Sequence, residues 1–221
     1  MQVRQVPAFI FFLLLAPAVI LHAQASNATV SFTIDFPGAN PSHYQIVVPK
    51  DGSGLYSSNG KINDQSDAGD PAAINFSVSD STRKQIFELA KRAKYFTGKV
   101  DSGRQNIANT GEKTLAYKDG GHNSQATFNF SNVAAVQQLT SIFQGLSAAL
   151  ECGRRLTFFH KYQKLALDDE LKRMEDLNRE NMLGDLQAIA PILKSIADDS
   201  SVMNVSRARA LRLLSASEST H

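Results

Sequence analysis

Alternation of apolar and polar residues at a period of two is confined to the part of this chain before Ser131. Everything after it reads at the helical period. That segregation constrains the fold more than any other feature. Strands that follow one another in a run pair antiparallel, and helices gathered after them must cover the sheet or each other. Val30, Phe32, Ile34 and Phe36 alternate with Thr29, Ser31, Thr33 and Asp35, the pattern of a strand with one buried face. Pro37, Gly38, Asn40 and Pro41 end it. Tyr44, Ile46 and Val48 resume it, Asp51-Gly52-Ser53-Gly54 supplies a hairpin turn, and Leu55 to Ser58 return. A polar stretch follows, then Ile74, Phe76 and Val78. Later, 114–118 and 122–130 flank Asp119-Gly120-Gly121, a second hairpin signature.

Two helical stripes interleave with these strands. Ile86, Leu89, Ala90 and Ala93 form one, opened by Ser79, Asp80 or Ser81 as a cap. Val136, Leu139, Phe143, Leu146 and Leu150 form the other, behind Asn132 as its cap. The expected fold class is α+β: a mostly antiparallel sheet with two helices on one face, spanning 26–150, followed by an all-α helical extension at 151–214. Residues 154–179 contain no Gly or Pro, which predicts one continuous helix of roughly 40 Å. Its apolar face shifts by roughly 130° between Phe158/Phe159/Tyr162 and Leu171/Met174/Leu177. Either the helix breaks near Asp168, or, the favoured reading, its first half packs on the sheet domain and its second half on the segments nearer the C-terminus. Its surface charges are expected to pair within the helix, as Asp168–Lys172, Asp169–Arg173 and Glu175–Arg179. Gly184 and Asp185 open a further helix that Pro191 should kink. A last helix covers 202–214, and 215–221 reads as a disordered tail.

The N-terminus reads as an address. Arg4 is the only charge before Asp35, and an apolar run from Ala8 to Leu21 leads to Ala23-Gln24-Ala25. This is a signal peptide over 1–25, too short to span a bilayer, with cleavage expected after Ala25. The protein is thus expected to be exported, periplasmic or extracellular, with no membrane span after cleavage. Lys plus Arg total 23 and Asp plus Glu 21, a net charge of +2, which argues against a nucleic-acid partner. The single cysteine, Cys152, excludes an intramolecular disulfide and a multi-cysteine zinc site.

The stretches GKVDSGRQNIANTGEKTLAYKDG (98–120), LALDDELKRMEDL (165–177) and LQAIAPILKSIADDSS (186–201) resemble those of an uncharacterised family of exported proteins from soil bacteria. The resemblance covers nearly all of the mature chain. It implies export and one shared architecture, and it carries no activity and no site.

No familiar catalytic constellation is present. His43, His122 and His160 share no metal-ligand spacing, and there is no H-E-x-x-H or G-x-S-x-G. Asp64, Asp67 and Asp70 recur every three residues, but a twelve-residue calcium loop from Asp64 would end on Asn75 rather than Glu. No metal and no cofactor are expected. The local candidate for ligand binding is the 101–112 loop, where Arg104, Asn106, Asn109 and Thr110 could orient a polar ligand. The same residues could instead fold the loop on its own backbone. Cys152 falls on an apolar helical side, which predicts a buried, inert thiol. The leading expectation is a non-enzymatic protein-interaction module that docks a protein partner through its helical extension. The alternative is a small polar-ligand-binding module using the 101–112 loop, and the third reading is an enzyme with a scattered site.

Overall fold

The computed structural model describes residues 28–62, 71–104 and 106–218. The expected signal peptide and Asp64, Asp67 and Asp70 lie outside these residues. The strands are β1 (Thr29–Asp35), β2 (His43–Pro49), β3 (Ser53–Ser58), β4 (Ala72–Ser77), β5 (Glu112–Lys118) and β6 (Asn123–Phe128). They form one sheet in the order β4-β3-β2-β1-β5-β6, and every neighbouring pair is antiparallel. The α+β fold with a helical extension is therefore present as the pattern predicts. β1 lies near the middle because the chain crosses from β4 to β5 through helix α1 (Asp80–Arg92). Ser79 caps α1: its Oγ accepts from the Thr82 N–H at 3.3 Å. Strand alternation puts Val30, Phe32, Ile46, Tyr56 and Leu115 on the buried face.

Helix α2 (Ala134–Tyr162) is the spine of the molecule, 29 residues and about 43 Å long. It runs straight through residue 150, so no element boundary separates the sheet domain from the extension. Phe143 stacks on Phe32 of β1 with ring centroids 5.4 Å apart. On its other sides α2 packs against α3 (Leu167–Arg179) and α4 (Ala190–Asp198), and α4 packs on α5 (Asn204–Glu218). Leu167, Leu171, Met174, Leu193, Ile196 and Leu213 belong to the same continuous core as the sheet residues.

Several expectations are corrected. The predicted continuous helix over 154–179 breaks at Gln163, which has φ −146° and ψ 59°. The chain turns there and restarts as α3. Asp168, Asp169 and Glu170 sit in the first turn of α3, where the positive end of the helix dipole favours them. The expected i, i+4 pairs do not form on α3: Arg173 pairs with Glu170 and Arg179 with Asp176, each three residues apart. Asp168 accepts from Arg209 at 2.9 Å, and Glu175 accepts from Arg212 at 2.8 Å and also from Arg209, so these bridges tie α3 to α5. Pro191 does not kink a helix but sits in the first turn of α4, where its missing N–H costs nothing. α5 continues to Glu218, beyond Leu214, so the first part of the expected tail is helical.

Two glycines let the extension close onto α2. A Cβ on Gly184 would lie 2.5 Å from the Leu146 nitrogen and 2.6 Å from the Gly145 carbonyl carbon. Backbone meets backbone here, and no side chain fits between.

Candidate functional site

The sheet and α2 are joined by a buried polar network. The Tyr56 hydroxyl donates to Glu151 Oε1 at 2.7 Å and Ser58 Oγ donates to the same oxygen at 2.5 Å. Arg154 Nη1 donates to both Glu151 oxygens at 3.1 and 3.0 Å, and its Nη2 donates to the Gly60 carbonyl at 3.1 Å. Glu151 and Arg154 side chains are each 7% exposed, so this ion pair is removed from water and held by hydrogen bonds rather than by screening.

The network forms one end of a cleft of about 680 Å³, roofed by the loop after β1 and walled by α2 and α3. Tyr44, Ser147 and Glu151 line its inner part, and Asn40, Thr110 and Gln144 its mouth. Cys152, Arg155 and Arg173 form the remaining wall. Arg155 Nη2 and Arg173 Nη2 both donate toward the Cys152 sulfur, at 3.4 and 3.3 Å. Glu170 lies behind them: it accepts from Arg155 Nε at 3.0 Å and from Arg173 Nη2 at 2.6 Å and Nε at 3.1 Å. Two guanidinium groups therefore share one carboxylate.

The environment decides what these groups can do. Burial pushes the Tyr44 phenol up to about 12, against an opposing pull from Ser147, so the group is a neutral donor at ordinary pH. Burial also pushes the Cys152 thiol up, and this outweighs the pull of Arg155 and Arg173 toward the thiolate. A thiol held in this form is a weak nucleophile. For Glu170 the balance runs the other way: burial raises its carboxyl, but Arg173 and Arg155 outweigh it and hold the group below its usual range. The wall thus keeps both guanidinium charges and one carboxylate charge, a surplus of one positive charge facing the cleft. This arrangement suits binding of a planar anion, because guanidinium presents its donors in a fixed fork.

The 101–112 loop is folded largely on itself. Asn129 Oδ1 accepts from the Thr110 N–H at 3.0 Å, Asn109 Oδ1 from the Gly111 N–H at 2.9 Å, and Asp101 Oδ1 from the Gly103 N–H at 2.6 Å. Thr110 reaches the cleft mouth, while Asn109 lines a separate hollow with Asp101 and Glu112. Arg104 and Asn106 are exposed and line neither of these. At the base of the loop the Lys113 ammonium is buried and donates to the carbonyls of Thr110, Gly111 and Asn129. The described histidines are scattered, each beside an aspartate: His43 with Asp35, His122 with Asp119 and His160 with Asp199. Among the described residues, no group of three or more His, Cys, Asp or Glu side chains could hold a metal ion. Nor is any described helix long and apolar enough to cross a membrane.

Sequence reasoning missed Tyr44, Ser147, Arg155 and Arg173 as cleft residues. Tyr44 reads as core, and Arg173 is 18 positions beyond Arg155 on what reads as one helix. The spacing Ser147, Glu151, Arg154/Arg155 on α2 was the available signal, a polar stripe on a helix whose other side is apolar.

No family model matches the chain, and none of the curated proteins is similar to it.

Proposed function

We propose that the chain is an exported, non-enzymatic binding module whose cleft takes a small ligand bearing a carboxylate. The observation that carries this is the pair of guanidinium groups, Arg155 and Arg173, converging at the cleft wall on one shared carboxylate. A ligand carboxylate would accept from the guanidinium donors that Glu170 does not use, while Tyr44, Ser147 and Gln144 offer neutral hydrogen-bonding groups further in. The protonated Cys152 supports a binding role over covalent chemistry. Export rests on the N-terminal pattern and is checked by N-terminal sequencing of the released protein, which should begin at Ser26.

The test is a calorimetric titration with a panel of small mono- and dicarboxylates, each beside its neutral amide. At least one acid should bind and its amide should not. Arg173→Gln should weaken that binding by tenfold or more, since a charge-assisted hydrogen bond contributes about 1.5–3 kcal/mol. Equal binding by Arg173→Gln, or no binding by any acid, sinks the proposal.

A second reading, docking of a protein partner through the helical extension, is favoured by a groove of about 730 Å³ beside β4. Phe158, Tyr162, Ile189 and Ile192 give it an apolar wall, and Tyr162 is 63% exposed. Its occupant would be an apolar side chain of an extended peptide. Apolar hexapeptides that shift the amide resonances of Phe158 and Ile192, with every carboxylate silent, would favour this reading over the first.

A further inference from the structure

The face of the sheet turned away from α1 and α2, which Gln187, Ala188 and Pro191 approach only at its β4 side, carries an uneven distribution of charge. Two rows of side chains cross its middle. One runs Ala73, Ser57, Gln45, Thr33, Thr114, Thr127, and the other runs Asn75, Leu55, Val47, Ser31, Ala116, Gln125. Neither row holds a charged residue, in a chain where 20% of residues are charged. The charges of this face stand at its two ends: Asp35 and Glu112 at one, Lys118 at the other. A charge-free centre inside a charged rim is the compositional mark of an interface rather than of ordinary solvated surface. Three of the five hydroxyls are already engaged: Thr114 and Thr127 share a hydrogen bond of 2.9 Å, and Gln45 donates to Thr33 at 3.2 Å. Covering them therefore leaves fewer orphaned groups than the composition suggests. Leu55, 46% exposed, and Val47 place apolar surface in the middle.

The placement is self-complementary. β1, β2 and β5 each have seven residues, and their midpoints, Phe32, Ile46 and Leu115, lie in one row across the sheet. A two-fold axis along that row, in the plane between two stacked sheets, lays each strand antiparallel on its own copy. Glu112 then faces Lys118 of a second copy, twice by symmetry, and Thr33 faces Ser31 beside the axis. The other two-fold, along the strands, would set the acidic end on the acidic end, which like charges oppose.

We infer that this face is a homodimer interface, closed by a second copy of the chain stacked sheet on sheet with its strands reversed. Six strands about 4.8 Å apart and seven residues rising about 3.3 Å each make a face of about 500 Å². That is about 1,000 Å² over both copies, the low end for a specific contact, so the dimer is a weak one of micromolar range.

Sedimentation equilibrium of the purified protein from about 1 to 300 μM tests this, a span chosen to bracket micromolar dissociation. The expected result is a monomer–dimer curve that tightens as salt is lowered. Thr33→Lys, with circular dichroism confirming its fold, should abolish the dimer. Lys118→Glu and Glu112→Lys should each weaken it about tenfold, because a pair is lost twice and like charges replace it. The double variant, Glu112→Lys with Lys118→Glu, should regain wild-type affinity. A monomer across the whole range overturns the inference, as does a dimer indifferent to Thr33→Lys or a double variant no tighter than the singles. None of these outcomes bears on carboxylate binding, which belongs to the opposite side of the sheet.

Discussion

Replacing Arg154 by Met would take the counter-charge from Glu151 while keeping most of the volume. The carboxylate would stay 7% exposed, with only the Tyr56 and Ser58 hydroxyls as donors, and the Gly60 carbonyl would lose its partner. Breaking a buried ion pair from one side costs about 3–5 kcal/mol. Against a total stability of about 5–15 kcal/mol, that is about a fifth or more of what holds the chain folded. In a domain of this size each kcal/mol moves the melting point by about 2–4 °C, so Arg154→Met should melt roughly 6–20 °C lower. The double variant Glu151→Leu/Arg154→Met removes both charges. It should cost only about 1–3 kcal/mol, for the hydroxyl and carbonyl partners left behind. Urea unfolding of wild type, both singles and the double closes the cycle. A coupling of at least about 2 kcal/mol is expected, with the double more stable than Arg154→Met. A cost below about 1 kcal/mol for Arg154→Met, or a double equal to the sum of the singles, would refute the reasoning that an unpaired charge, rather than lost packing, sets the penalty.

Gly184→Ala should destabilise by about 1–3 kcal/mol or more, because its Cβ would sit 2.5 Å from backbone; an unchanged urea midpoint would mean the two backbones do not meet. Burial lowers the Lys113 ammonium below its ordinary 10.5. Between the lowered native value and 10.5 the unfolded chain binds more protons than the native one, so this residue's contribution to stability rises with pH there. The stability difference between wild type and Lys113→Met should therefore move in favour of wild type as alkaline pH rises, and a flat difference would contradict the burial argument. Cys152 should react slowly with an aromatic disulfide reagent at neutral pH and fully once unfolded; rapid native labelling would show that the arginines, not burial, govern the thiol.

Much of the strand order was legible because burial on one face writes itself as period two. Val30/Phe32/Ile34 and the Asp119-Gly120-Gly121 turn each carry their structure locally. The rotation of the apolar stripe allowed a break near Asp168, but neither Gly nor Pro marks it, so its place at Gln163 was not legible. The acidic first turn of α3 was the local sign of a new helix start. The cleft was harder still. Tyr44, Arg155 and Arg173 come from a strand and two helices, and only the close approach of Gly145 and Gly184 brings the extension near enough for α3 to form a wall. Of the loop residues that composition singled out, Thr110 alone lines that cleft, because Asn and Thr side chains close turns as readily as they greet ligands.

The length of α2 also sets an order of events in time. A chain made from its N-terminus can complete the sheet once Phe128 has emerged and lay the first half of α2 on it. The far side of that helix, at Cys152 and Leu156, must then wait for Leu171, Met174 and Leu193 to arrive. During that interval the half-made protein carries a bare apolar seam along a finished domain, the kind of surface that invites aggregation or a chaperone. Any truncation between Leu150 and Leu193 freezes the molecule in that state, so deletion variants would report on the seam rather than on the function of what was removed.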